Sequence, residues 1–234
     1  MNLIVTADDY GLTRGINYGI YDACLEGVVK SVGLLMNTKH TDHGISLMKD
    51  MAVGIGISLN MTYGKPLISE GNALLEFGFF KPSHDWDQIE KEAVRNEFKA
   101  QIDLALSKGV RISFLSSYDN IHLKHDDIYK IVDSLASEYN LNFRKKSNDE
   151  FELCELFYDR MANLDFLTQL LMQCKDFKTV ELIVHPGFLC GHLIHISSYR
   201  ELRLVEHSIL TSAFLKSFIK DQDIMLKTYQ DIGW

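Results

Sequence analysis

Proline is scarce in this chain, with three residues in 234. Domain boundaries tend to fall in Pro-, Gly- or polar-rich linkers. No such stretch, no low-complexity tract and no internal repeat is present, so one domain over residues 1–234 is expected. A run of about 18 apolar residues, the signature of a membrane span, is also missing. The N-terminus enters an apolar strand with no charged segment and apolar stretch ahead of it, so neither a secretory leader nor membrane insertion is expected. The four cysteines, Cys24, Cys154, Cys174 and Cys190, include no C-x-x-C pair. That excludes the usual zinc cage and disulfide framework and suits reduced thiols in a cytoplasmic protein. Excess positive charge is lacking too: the formal net charge is −8, which makes nucleic acid and anionic membranes poor partners. The glycines form no G-x-G-x-x-G loop. Gly11-Leu12-Thr13-Arg14-Gly15 follows two carboxylates that would repel a pyrophosphate.

What is present is an ordinary globular composition, 46% hydrophobic and 24% charged. Short apolar runs alternate with helical patterns. "LIVTA", "SVGLLMN", "VGIGISLNM", "VRISFLSSY" and "TVELIVHPGF" read as strands, and "IMLKTYQDI" as a last one. Helices are predicted over Ile16–Glu26, Asp42–Lys49, the stretch "WDQIEKEAVRNEFKAQIDLAL", Asp126–Tyr139 and Tyr199–Ile219. A long polar region runs from Gly64 to about Asp85, and its aromatics in "FGFFKPSHDW" are expected to pack against the sheet or a partner. Alternation of this kind predicts an α/β fold with mostly parallel strands, an open doubly wound sheet or a (β/α) barrel.

In both architectures the active site forms where strands end. The polar strand ends are Asp8 and Asp9, Ser58 and Asn60, the run Tyr118–His122, and His185. Adjacent carboxylates after an apolar strand repel each other unless one is protonated, water solvates both, or a cation lies between them. Asp8-Asp9 reads either as a metal ligand beside a general base or as a capping pair ahead of Thr13. His185, before Pro186 and Gly187, reads as a general acid or as a strand-end histidine bonded to backbone. The remaining histidines show no tight metal spacing, and Asp126-Asp127 reads as a helix cap.

The stretch "TADDYGLTRGINYGIYDACLEGVVKSVGLLMN", followed by "DHGISL", "GIGISLNMTYGKPL", "VELIVHPGF" and "LTSAFLKSFI", resembles the YdjC-like carbohydrate deacetylases, the chitooligosaccharide (chitin disaccharide) deacetylase family. The resemblance covers nearly the whole chain. It implies a TIM-barrel-related (β/α) fold, usually a homodimer. It also implies a hydrolase, dependent on a divalent metal such as Mg²⁺ or Zn²⁺, that removes N-acetyl groups from a small sugar such as chitobiose or its phosphate. Under it Asp8 resembles the general base, Asp9 a metal ligand and His185 the catalytic histidine.

Two further ligands of the family pattern are histidines, and here those positions are Ser58 and Tyr118. On a regular strand the inward series would be Phe114, Ser116, Tyr118, Asn120 and His122, leaving His122 as a substitute ligand and turning Asp119 away. An oxygen-rich site of Asp9, Asp119 or Asn120, and His122 for a harder ion would need a bulge. The sequence therefore carries two expectations: a deacetylase with an altered metal site, or a catalytically silent relative, without a metal, that binds a sugar or serves as a structural or regulatory subunit.

Overall fold

The computed structural model describes residues 1–49, 51–68, 74–86 and 89–232. The chain runs β1 (Asn2–Tyr10), α1 (Arg14–Glu26), β2 (Ser31–Leu34), α2 (Thr41–Met48) and β3 (Gly54–Leu59), then a small hairpin of β4 (Leu75–Glu76) and β5 (Phe79–Phe80). It continues through α3 (Lys91–Ser107), β6 (Ile112–Ser117), α4 (Ile121–Lys124), α5 (Asp126–Glu138), β7 (Asn142–Phe143), β8 (Phe151–Cys154), α6 (Leu164–Gln173) and β9 (Thr179–Val184). It closes with α7 (Gly191–Ile196), α8 (Leu202–Thr211), α9 (Ala213–Asp221) and β10 (Met225–Leu226).

The main sheet has the order β7-β6-β3-β2-β1-β9-β8, and every ladder is parallel. It curls into a half-barrel ringed by helices, which is the expected α/β, TIM-barrel-related architecture. β1 lies inside the sheet between β2 and β9 and is buried on both faces from Leu3 to Tyr10, the reason its sequence reads as a continuous apolar run. β10 pairs with Asn2 and Leu3 at the foot of β1. From there a 3₁₀ turn, Tyr229–Asp231, carries Tyr229 into the barrel, where its ring stacks on Phe114 at 4.1 Å between centroids.

Side-chain caps mark three of the helix starts. Thr13 caps α1 by accepting from Ile16 N at 3.1 Å, Asn163 caps α6, and Ser212 caps α9. The helix expected as one piece over Tyr199–Ile219 is two, because extended backbone at Ser212 ends α8 and starts α9. The last predicted strand shrinks to Met225–Leu226, and the long helix opening at Trp86 starts instead at Lys91, with residues 87–88 outside the described set. Residues 69–73 of the polar region also lie outside it. Phe80 packs inward as expected, but Phe77 at the hairpin tip is 94% exposed.

Candidate functional site

The carboxyl ends of the strands surround a cavity of about 280 Å³. Asp8, Asp9, Ser58, Tyr118 and His185, five of the residues singled out in the sequence, line it together. So do Asp119, Asn120, Lys124, Glu155 and Tyr158.

Neighbouring residues on a regular strand face opposite sides, yet Asp8 and Asp9 both reach this cavity. The reason is a bulge. Between Ala7 and Tyr10 the β1–β2 register gains one residue on β1, and Asp9 takes a left-handed φ of 69°. Gly33 on β2 leaves the room: a Cβ there would stand 2.6 Å from Asp8 Oδ1. The end of β6 behaves similarly. The strand stops at Ser117, and Asp119 and Asn120 adopt left-handed φ of 55° and 50° in a tight 3₁₀ turn. The regular strand expected through His122 does not form, so Asp119 turns into the cavity beside Tyr118 and Asn120 instead of away from them.

His122, the expected substitute ligand, is outside the cavity lining. Its ring is fully buried at the start of α4, with Nε2 donating to the Arg144 carbonyl at 2.9 Å and Nδ1 2.5 Å from Ser117 Oγ. A carbonyl can only accept, so Nε2 holds the hydrogen and Nδ1 accepts from the serine. Burial, set only partly against that backbone bond, pushes the imidazole down to about 3 and keeps it neutral. Both nitrogens are committed to the fold.

The charge conflict at Asp8-Asp9 is resolved by two arginines. Arg144, just past β7 and fully buried, forks Asp8 with Nη1–Oδ2 at 2.8 Å and Nη2–Oδ1 at 3.1 Å. The same guanidinium donates to Asn120 Oδ1 at 2.6 Å and, through Nε and Nη2, to Glu181 Oε1 at 3.2 and 3.1 Å. Glu181 on β9 also accepts from Thr6 Oγ1 at 2.7 Å and Tyr229 OH at 2.5 Å. Burial opposes the Arg144 charge, but Asp8 and Glu181 outweigh it and raise its pKa further.

Arg203 on α8 performs the parallel service for Asp9, with Nη2 2.6 Å from Oδ2. Its other donors go to the carbonyls of Tyr199 at 3.0 Å and His185 at 3.3 Å. Burial would push the Asp9 carboxyl up, but the Arg203 guanidinium and then His185 outweigh it and hold it below the ordinary carboxylate value. No arginine forks Asp119 among the described residues, and burial followed by the Asp9 charge moves its carboxyl upward. Burial, then Asp9 and Asp119, also raises the Tyr118 phenol and keeps it un-ionised.

His185 is fixed through its backbone, whose N–H donates to Glu206 Oε2 at 2.5 Å. Glu206 is fully buried and also accepts from Tyr199 OH. The His185 ring meets Tyr158 edge-on at 5.3 Å, and Tyr158 stacks on Tyr199 at 4.1 Å. Nδ1 of His185 is buried and has no hydrogen-bond partner among the described residues. On the far wall Asn120 donates to Glu155 at 2.5 Å, and Lys124 donates to the Asp119 carbonyl at 2.7 Å.

A divalent metal does not fit this donor set. Of the three positions that the resemblance assigns to ligands, Asp9 already gives an oxygen to Arg203, and Ser58 and Tyr118 offer a hydroxyl and a neutral phenol. Among the described residues no three His, Cys, Asp or Glu side chains are arranged to hold an ion. Sequence reading located the cavity but missed Arg144, Arg203, Glu181 and Glu206. They lie in a helix, beside a two-residue strand or inside an apolar one, and the two arginines are far in sequence from the acids they serve.

Comparison with known proteins matches residues 2–221 to the family described as YdjC-like protein. A Vibrio cholerae protein named carbohydrate deacetylase is 34% identical over 241 residues, covering 98% of this chain and 95% of its own. A Brevibacillus brevis protein of the same name is 31% identical with both chains fully covered. The crystal structure of an Enterococcus faecalis protein, described as a candidate cellobiose-phosphate cleavage protein, superposes with a TM-score of 0.92 at 27% identity, covering 100% of this chain and 99% of the other. A lactam utilization protein of Thermus thermophilus, at TM-score 0.51 and 11% identity, shares the fold alone.

Proposed function

Because this chain belongs to the YdjC-like protein family, we propose that its cavity is a carbohydrate site that binds a small N-acetylated amino sugar without metal-assisted hydrolysis. The naming of the curated relatives supports the sugar, and the strand-end position of the cavity supports a binding site. The observation that carries the second half is the 2.6 Å contact of Arg203 with Asp9, beside Ser58 and Tyr118 where imidazoles were expected. Amide hydrolysis needs an electrophile on the carbonyl and an activated water. Here the carboxylate expected to help supply the electrophile is already neutralised by a guanidinium.

A second reading, hydrolysis by the side chains alone, is favoured by one feature. Asp8 and His185 line the same cavity, and His185 Nδ1 has no partner among the described residues. In that reading Asp8 takes a proton from water and His185 protonates the leaving amine.

Two measurements on one preparation decide between them: calorimetric binding of N,N′-diacetylchitobiose, and acetate release from it with and without added Mg²⁺ or Zn²⁺. Binding without acetate supports the proposal. Acetate release that disappears in Asp8→Asn and in His185→Gln establishes the second reading. Absence of both binding and release sinks the sugar assignment altogether.

A further inference from the structure

Away from the cavity, two of the four cysteines meet. Cys154 is the last residue of β8 and Cys174 caps the C-terminal end of α6, and their sulfurs are 3.5 Å apart. Both are buried free thiols. A disulfide has an S–S length of about 2.05 Å, so closing this pair asks the sulfurs to approach by about 1.5 Å.

We propose that Cys154 and Cys174 form a modification site, a dithiol that hydrogen peroxide closes into an intramolecular disulfide. One sulfur attacks one peroxide oxygen, forming S–O as O–O breaks and one water leaves. The other sulfur then attacks the first, forming S–S as S–O breaks and a second water leaves. Two thiols lose two hydrogens and two electrons, and one peroxide becomes two waters. Burial raises both thiols. Thiolate is scarce at such a buried pair, so closure is slow compared with oxidation of an exposed low-pKa cysteine. Cys190 provides the contrast: burial raises it, but hydrogen bonds involving Leu193, Thr13 and Gly15 outweigh that and lower it.

The bond would close a loop of 20 residues. That loop contains Glu155 and Tyr158, both in the cavity wall, so oxidation pins one side of the proposed sugar site to α6. Formation of the disulfide does not depend on that functional reading.

The test treats the folded full-length chain with hydrogen peroxide at a dose that fully oxidises the same chain unfolded in urea. Remaining thiols are alkylated and the peptides mapped by mass spectrometry. The expected result is one cross-linked peptide pair joining residues 154 and 174, lighter by two hydrogen atoms. A rise in Tm of about 5 °C, reversed by dithiothreitol, should accompany it. Cys154→Ser and Cys174→Ser should each abolish both the cross-link and the rise. Free thiols at both positions in the treated folded chain overturn the proposal. A sulfinic acid at either position without the cross-link overturns it equally.

Discussion

Arg144 contributes through shape as well as charge. Its planar fork meets both oxygens of Asp8 while its remaining edge meets Glu181. A lysine has the charge but not the fork. Arg144→Met strands two buried carboxylates and should lower stability by about 3–5 kcal/mol in urea unfolding. Arg144→Lys should recover only part of that loss, and full recovery would show that charge alone matters here. His122 makes a pH prediction. Its folded pKa of about 3 lies below the unfolded value, so the unfolded chain binds the extra proton as pH falls below about 6.5. The stability that neutral His122 confers is complete above that point and drains away down to about 3, at up to about 1.4 kcal/mol per pH unit. His122→Gln should flatten the slope of unfolding free energy between about pH 6.5 and about pH 4.5. The metal argument is also testable by residue. The native protein purified without chelator should carry no stoichiometric Mg²⁺ or Zn²⁺, and Ser58→His with Tyr118→His should raise Zn²⁺ uptake in equilibrium dialysis. Failure of the double variant to take up zinc would place the obstacle in the Arg203–Asp9 pair.

At the scale of elements, the site depends on two departures from regular strand geometry. The bulge in β1 brings both acids to one face, and the turn after β6 swings Asp119 inward. Neither was legible in the sequence, because a bulge leaves no change in residue type that alternation could register. The acid pair after "LIVTA" and the histidine after "LIV" were legible, since an apolar run buried on both faces makes its polar terminus conspicuous. The strands and helices around them were legible for the same reason. The strands between residues 140 and 154 were not: β7 has two residues and β8 four, too few for a period to show. Continuous apolar spacing likewise hid the break between α8 and α9, where extended backbone at Ser212 and the local bond from Leu215 N to Ser212 Oγ at 3.1 Å mark the boundary. Ser212→Ala removes that cap and should lower stability by about 1 kcal/mol, with Ser212→Asp restoring it. Equal stability of all three chains would mean that tertiary packing, not the cap, fixes the boundary.

The charge of the whole molecule bears on which sugar is admitted. The net charge is −8, and with Asp8 and Asp9 offset by Arg144 and Arg203, the carboxylates of Asp119 and Glu155 line the cavity against one lysine, Lys124. Such a field disfavours a phosphorylated ligand. Diacetylchitobiose should therefore bind more tightly than its phosphate, with the gap narrowing as salt rises. Tighter binding of the phosphate would mean that Lys124 governs the entrance. The sheet order has one more implication. Its edge strands β7 and β8 share no ladder among the described residues, and Arg144–Glu181 and Asn120–Glu155 reach across the interior near that opening. The half-barrel is thus fastened near its opening by side-chain clasps instead of backbone rungs. Removing the first of them in Arg144→Met should unzip the protein from that joint first, with amide exchange at residues 142–143 and 151–154 quickening before any other part of the sheet.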